Sequence, residues 1–306
     1  MERIYRKKVG TRGLHSFQVA VKETDLWICA DRPLVKETRD LVLKNRNHLE
    51  HYISLHPDFL STLQPFRKDP LAPPIVKAMI EATHDIGVGP MAAVAGAMAQ
   101  FVAEGLREFT RQVIVENGGD VYLNMKKPMT VSVFAGKSAL SERLGLKIPV
   151  EQMPMGVCSS SATIGHSLSL GAADLVCVLS KSAARADGAA TALCNRIKNR
   201  KDLENVGRWA AQMGGIIGGL AVMGDALAPW GERPLKNAPF CPIFRLRYGY
   251  GVTSPPDNGG QAASDSNRGP ARWVGSRRFA RTNFNPRNTS MYGASPLPLG
   301  ILKRDG

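Results

Sequence analysis

Two short apolar runs, Val113–Glu116 and Val121–Leu123, are separated only by Asn117-Gly118-Gly119-Asp120. This segment constrains the chain more than any other. Asn-Gly between apolar runs is a strong hairpin signal, because both residues accept positive φ. Adjacent glycines beside an amide and a carboxylate also let a ligand come close to the backbone. The four residues, flanked by Glu116 and Asp120, exceed what a two-residue turn needs. Taken alone, the segment is equally a turn and a site.

The rest of the chain divides into strand-like and helix-like stretches. Ser16–Val21 and Asp25–Ala30 carry β-branched and aromatic residues around Lys22-Glu23-Thr24, which predicts an early antiparallel pair. Leu34–Leu55 has apolar residues at helical spacing and ends before His56-Pro57, where proline disfavours helical geometry in the residue before it. A helix is expected from about Pro74 to Asp85, and Gly87-Val88-Gly89-Pro90 then opens a small-residue helix, Met91–Phe109. Strands are expected at Gln112–Glu116, Val121–Asn124, Thr130–Ala135, Asp174–Ser180 and Gly214–Gly224. Ser138 is expected to cap a short helix, Lys147–Met155 to be a loop, and Ala183–Ile197 to be helical.

The net charge of +14 would suggest a polyanion partner if it were spread over the chain. From Arg233 onward there are 12 Lys/Arg against 3 Asp/Glu, net +9, which leaves residues 1–232 with 28 against 23, net +5. Nucleic-acid binding is therefore not expected of the body of the chain. It would reside only in residues 233–306, a basic, Pro/Ser/Asn/Gly-rich segment with scattered aromatics and no sustained apolar periodicity. The domain reading is a globular unit over 1–232 followed by a low-order basic tail over 233–306.

Five scattered cysteines with no C-x-x-C spacing argue against a disulfide framework and against a cysteine zinc site. His48, His51 and His56 lie close in sequence, but only the first two share a helical face and no carboxylate stands at a diagnostic spacing. The uncharged stretch Ile86–Ala103 is mostly alanine and glycine and reads as a buried helix, not a membrane span. Met1–Lys8 leads into no apolar run, so a cytoplasmic protein is expected.

Three further segments could carry chemistry. Gly89-Pro90-Met91-Ala92 leads from a glycine loop into a helix start, where exposed N–H groups and the helix dipole favour phosphate. Small residues also occur wherever helices pack tightly. Asp187 and Thr191 stand four apart on a predicted helix and offer hard oxygen ligands suited to Mg²⁺ beside a phosphate. Such pairs also occur on solvated helix faces. Cys158-Ser159-Ser160-Ser161 concentrates hydroxyls upstream of His166, but no G-x-S-x-G elbow is present, so contact with backbone or phosphate fits Ser159, Ser160 and His166 better than nucleophilic catalysis.

In this order the segments resemble the ApbE-like superfamily, whose best-known members are FAD-dependent protein FMN transferases. The counterparts are Met91–Ala99, Asn117-Gly118-Gly119-Asp120, Ser159-Ser160, and Ala186-Asp187 with Thr191. The chain is similar still more to a cytoplasmic branch, through Glu23-Thr24-Asp25-Leu26, Val88–Ala97, Val115–Asp120 and Gly165-His166-Ser167. The resemblance spans about residues 1–232. It implies an α+β fold, ApbE-like mixed sheets with packed helices, that binds FAD, FMN or a related phosphorylated ligand. It also implies Mg²⁺ at Asp187 and Thr191, and nucleotidyl or FMN transfer with His166 and Asp187 as catalytic candidates. The alternative is a ligand-binding or scaffold protein of the same fold without the reaction. The His-His-x-x-Asp-Pro-x-Thr-Gly stretch of the transferases is absent, and no lysine stands in Ala95–Gln100.

Overall fold

The structure is a computed structural model and describes residues 13–136, 138–141, 144–162, 170–231 and 236–237. The first strands are β1 (His15–Val21) and β2 (Thr24–Ala30), paired antiparallel as expected, with Val21 opposite Thr24. In β2, Leu26, Ile28 and Ala30 belong to one core and Trp27 and Cys29 to the other, the period-two pattern of a strand buried on both faces. Helix α1 (Val35–Leu55) follows and buries Val42, Leu49 and Tyr52. It stops at His56, ahead of Pro57.

Arg46 of α1 explains the Glu23-Thr24 signature at the first hairpin. Its guanidinium donates to Thr24 Oγ1 at 2.7 Å, Glu23 Oε2 at 2.6 Å and Glu50 Oε1 at 2.7 Å, tying the turn to the helix.

The short helix α2 (Asp58–Ser61) and α3 (Pro74–His84) lead to a 3-10 turn, Pro90–Ala93, and then to α4 (Val94–Leu106). One continuous helix was expected from Met91. The turn intervenes because Gly89 is extended and Pro90 enters a tighter turn. The strands β3 (Val113–Asn117), β4 (Asp120–Asn124) and β5 (Met129–Val133) fall where expected within a residue or two.

The region after β5 departs from the expectation. Ser138 caps no helix: it lies in a turn, where its hydroxyl accepts from Leu140 N and donates to Gly224 O. The expected loop Lys147–Met155 instead holds the end of β6 (Leu144–Ile148), a 3-10 turn at Val150–Gln152 and the start of β7 (Met155–Ser160). Leu144, Leu146 and Ile148 alternate inward while Lys147 is exposed. The remaining elements are β8 (Leu175–Ser180), α5 (Ala183–Arg196), α6 (Val206–Ala211), β9 (Ile216–Met223), β10 (Ala226–Gly231) and a two-residue strand, β11 (Lys236–Asn237).

Eight strands form one antiparallel sheet in the order β1-β2-β3-β4-β7-β8-β9-β10, and β11-β6-β5 form a second. One face of the large sheet packs on the helices through Val115, Tyr122, Cys158 and Val176, with Val102, Ala186 and Leu193 opposite them. The other face packs on the small sheet through Ile114, Leu123, Val157 and Cys177 against Val131, Leu146 and Ile148. The result is a layered α+β fold. Of the proposed tail, only Lys236–Asn237 falls within the described residues.

The exit of β2 is fastened by one carboxylate. Asp31 Oδ2 accepts from Thr110 Oγ1 at 3.0 Å, Arg111 N at 2.9 Å and Gln112 N at 3.2 Å, and Oδ1 accepts from Gln112 Nε2 at 3.0 Å. Desolvation acts to raise the pKa of this carboxyl, but the bonds from Gln112, Arg111 and Thr110 outweigh it and hold the group below its ordinary value. Asp31→Ala should cost about 1–2 kcal/mol, the net worth of such exposed bonds. Urea titration checks this; an unchanged midpoint would show that the knot adds nothing.

Candidate functional site

Asn117-Gly118-Gly119-Asp120 is a two-residue hairpin loop, with Asn117 opposite Asp120 as the last pair of β3 and β4. Both glycines have positive φ, 67° and 117°, the conformation the turn requires. The segment is also a junction. Asn117 Nδ2 donates to Ala95 O at 3.1 Å, in the first turn of α4. Gly119 N donates to Glu116 Oε1 at 3.1 Å. Ser159, on β7, donates its hydroxyl to Gly119 O and its backbone N–H to Asp120 Oδ1, both at 3.3 Å.

The late aspartate arrives from another direction. Asp187 lies on the buried face of α5, and its Oδ2 accepts from Gly96 N at 2.9 Å. Gly96 is a close-packed point of this crossing: a Cβ there would stand 2.3 Å from Ala183 O and 2.8 Å from Asp187 Cβ. The carboxylate thus sits at the amino end of α4, a favourable place for negative charge.

Two buried carboxylates meet here. Burial pushes the Asp187 carboxyl up to about 7, against the lowering effect of the Gly96 and Ala95 N–H groups. Burial also raises Asp120 well above the ordinary range and the charge of Asp187 raises it further, while the bonds from Ser159 and the Cys158 thiol oppose this. Among the described residues no salt bridge reaches either carboxylate. The single Cys158 thiol proton has two acceptors in reach, Ala183 O at 3.3 Å and the Asp120 carboxylate, and burial with the two carboxylates keeps the thiol protonated.

The other expected residues fall around this junction in different ways. Ser160 is buried, and its hydroxyl has no hydrogen-bond partner among the described residues. Thr191 stands one turn beyond Asp187 on α5 and is half-buried. Pro90, Met91 and Ala92 form the 3-10 turn before α4, with Met91 and Ala92 half-buried. Gly89 serves packing, since a Cβ would stand 1.9 Å from Thr62 O. His166 lies outside the described residues.

The N–H groups of α4 do not face open space at Ala95 and Gly96, because Asp187 takes them. Sequence reasoning passed over Cys158 and Gln100. Gln100 was visible as the polar residue within the small-residue helix; nothing local marked Cys158. An open groove of about 540 Å³ lies elsewhere, beside the Arg185–Asp85 ion pair, and Asp120, Asp187 and Thr191 do not line it. Among the described residues no group of three or more His, Cys, Asp or Glu could hold a metal. No described helix is long and apolar enough to cross a membrane.

Fold and site together define a class: an α+β protein in which a glycine hairpin and the first turn of one helix close on a buried aspartate of another. The chain belongs to the ApbE-like superfamily, since the family model described as "AbpE bacteria" matches residues 6–214. A UPF0280 protein of Methanococcus maripaludis is 41% identical over 223 residues, covering 71% of this chain and 90% of its own length. A UPF0280 protein of Methanocella arvoryzae is 37% identical over 215 residues, covering 70% and 87%. Among solved structures, the apo flavinyl transferase ApbE of Pseudomonas stutzeri matches 71% of this chain and 93% of its own, at 13% identity and a TM-score of 0.46.

Proposed function

We propose that this protein is cytoplasmic and binds FAD, FMN or a related phosphorylated ligand where the β3–β4 hairpin, β7 and α5 meet, with Mg²⁺ held at Asp187 and Thr191. The observation that supports this reading is the convergence itself. Residues 67 to 70 positions apart in sequence, Asn117–Asp120 and Asp187, share one polar junction. The donor set fits Mg²⁺: hard oxygens from Asp187 and Thr191, with Asp120 as a second buried carboxylate lacking a cationic partner among the described residues. Asp187 spends acceptor capacity on two N–H groups, yet a carboxylate has about four lone-pair sites and retains room for a cation.

When bound, the ion would neutralise phosphate charge for phosphoryl or nucleotidyl transfer. The chain's own groups hold and orient the ligand. Asn117 to Asp120 offer the hairpin backbone, Gly89 to Ala92 the rim before α4, and Ser159, Ser160 and His166 contact its phosphates. In this assignment the unpartnered Ser160 hydroxyl donates to a phosphate oxygen. Asp187 and His166 are the residues proposed for catalysis.

A second reading, a scaffold of the same fold without the reaction, draws on a different observation: Asn117, Ser159 and Asp187 already bond to backbone groups, at Ala95 O, Gly119 O and Gly96 N. Calorimetric titration with FAD at pH 8, with and without Mg²⁺, separates the two. Binding strengthened by Mg²⁺ is expected in the parent chain, and Asp187→Asn should weaken it by about tenfold or more, roughly 1.4 kcal/mol. Identical Mg²⁺ dependence in both chains would remove Asp187 from the site. Absence of FAD and FMN binding, with the fold intact by circular dichroism, would favour the scaffold.

A further inference from the structure

Helices α4 and α5 cap each other. The side chain of Asp187, in the second turn of α5, accepts from Gly96 N at 2.9 Å in the first turn of α4. One turn further along α4, Gln100 Oε1 accepts from Ala183 N at 2.8 Å and from Ser182 Oγ at 3.1 Å, at the beginning of α5. Gly96 and Gln100 are four apart on one helix, and Ala183 and Asp187 four apart on the other, so both contacts lie on one facing stripe. First-turn N–H groups have no partner within their own helix. Here each helix supplies the acceptor that the other lacks.

Gln100 is itself held. Its Nε2 donates to Glu104 Oε1 at 3.0 Å, and Glu104 Oε1 accepts from Tyr122 Oη at 3.2 Å on β4, the strand that begins with Asp120. The amide cannot turn over, because its oxygen must face Ala183 N and its nitrogen Glu104. One chain of bonds thus runs from β4 through Glu104 and Gln100 to the start of α5, one turn before Asp187. The glycine at position 96 brings the backbones too close for either helix to slide without breaking both contacts.

We infer that Gln100 is a positioning residue for Asp187: it fixes the register of α5 against α4, so that the Asp187 carboxylate stays at the Gly96 N–H beside the hairpin. The consequence for Mg²⁺ rests on the function proposed above; the consequence for Gly96 does not. Gln100→Leu keeps the volume and removes the acceptor, the exchange Gln100→Glu/Glu104→Gln keeps an acceptor oxygen for Ala183 N and reverses the donor between positions 100 and 104, and Ser182→Ala removes the α5 N-cap hydroxyl while leaving the Gln100–Ala183 bond.

The test uses the full chain labelled with ¹⁵N. Amide hydrogen exchange of Gly96 is read by NMR, and Mg²⁺ binding by titration at pH 8. Gln100→Leu is expected to lower Gly96 protection and Mg²⁺ affinity each by about tenfold, with the exchange Gln100→Glu/Glu104→Gln within about threefold of the parent. Ser182→Ala should lower the melting temperature and leave Gly96 protection unchanged. Parent-like Gly96 protection in Gln100→Leu would overturn the inference, as would equal loss in Ser182→Ala, which would mean general loosening of α5. If Gln100→Leu fails to fold, Gln100→Asn, whose amide ends short of Ala183, takes its place with the same expectations. A parent chain that binds no Mg²⁺ counts against the proposed function alone, and the Gly96 amide still decides the role of Gln100.

Discussion

Gly96→Ala is expected to destabilise the protein by about 3–5 kcal/mol, a fall in Tm of roughly 10 °C or more for a chain of this size. Helix propensity argues the other way, since alanine in a helix interior is favoured over glycine by about 1 kcal/mol. Packing outweighs it. The new methyl would stand 2.3 Å from the Ala183 carbonyl oxygen and 2.7 Å from its carbon, and neither is a movable side-chain end. The helices must part, which also breaks the bond from Gly96 N to Asp187 and strands a buried carboxylate. Gly105→Ala, on the same helix, is the control: there the nearest atoms to a Cβ all belong to the Leu41 side chain, which can turn aside. Thermal melts of both variants decide it, and a Gly96→Ala protein as stable as the parent would mean that α4 and α5 do not cross this closely.

In EDTA, stability should peak near pH 4 and fall on both sides. The alkaline limb comes from Asp187 and Asp120, whose native pKa values are raised above the unfolded ones, chiefly by burial. The native state then holds protons that the unfolded chain releases from about pH 4, so stability is full below that and is lost as pH rises toward and through about 7. The loss by pH 8 should reach about 2–4 kcal/mol. The acid limb has the opposite sign. Asp85 is lowered first by its bond to Arg185, whereas in Asp31 and Glu50 hydrogen bonds outweigh desolvation; their contribution is lost as pH falls below about 4, and it is small because these groups are largely open to solvent. The double variant Asp120→Asn/Asp187→Asn should flatten the alkaline limb and keep the acid one. Millimolar Mg²⁺ at pH 8 should restore stability to the parent and not to the double variant. Denaturant midpoints across pH 4–9 check both statements, and a parent chain equally stable at pH 5 and pH 8 would contradict the buried pair.

The parts legible in the sequence were those whose signal is local. Asn117-Gly118 between apolar runs gave the hairpin, while the bonds that tie the same four residues to α4 and β7 had no local signal. Pro57 marked the end of α1, and the apolar run at 175–179 marked β8. The strands β6 and β7 were missed because Gly145 and Lys147 dilute the alternation in one, and Ser159-Ser160 give the other a loop-like composition although both serines are buried. Burial on two faces is set by the layers above and below, which no window of a few residues contains.

The sequence by itself determined that a glycine hairpin, a small-residue helix and an aspartate–threonine helix exist, and that their order resembles one superfamily. Local turn chemistry and periodicity suffice for that. Only the tertiary structure decided that β4 pairs with β7, that α4 and α5 cross at a glycine and cap one another, and that Asp120 and Asp187 are buried together. Those facts depend on contacts between residues far apart in the chain. The charge state of a carboxylate depends on which groups and how much water surround it, and that is fixed only when the layers close.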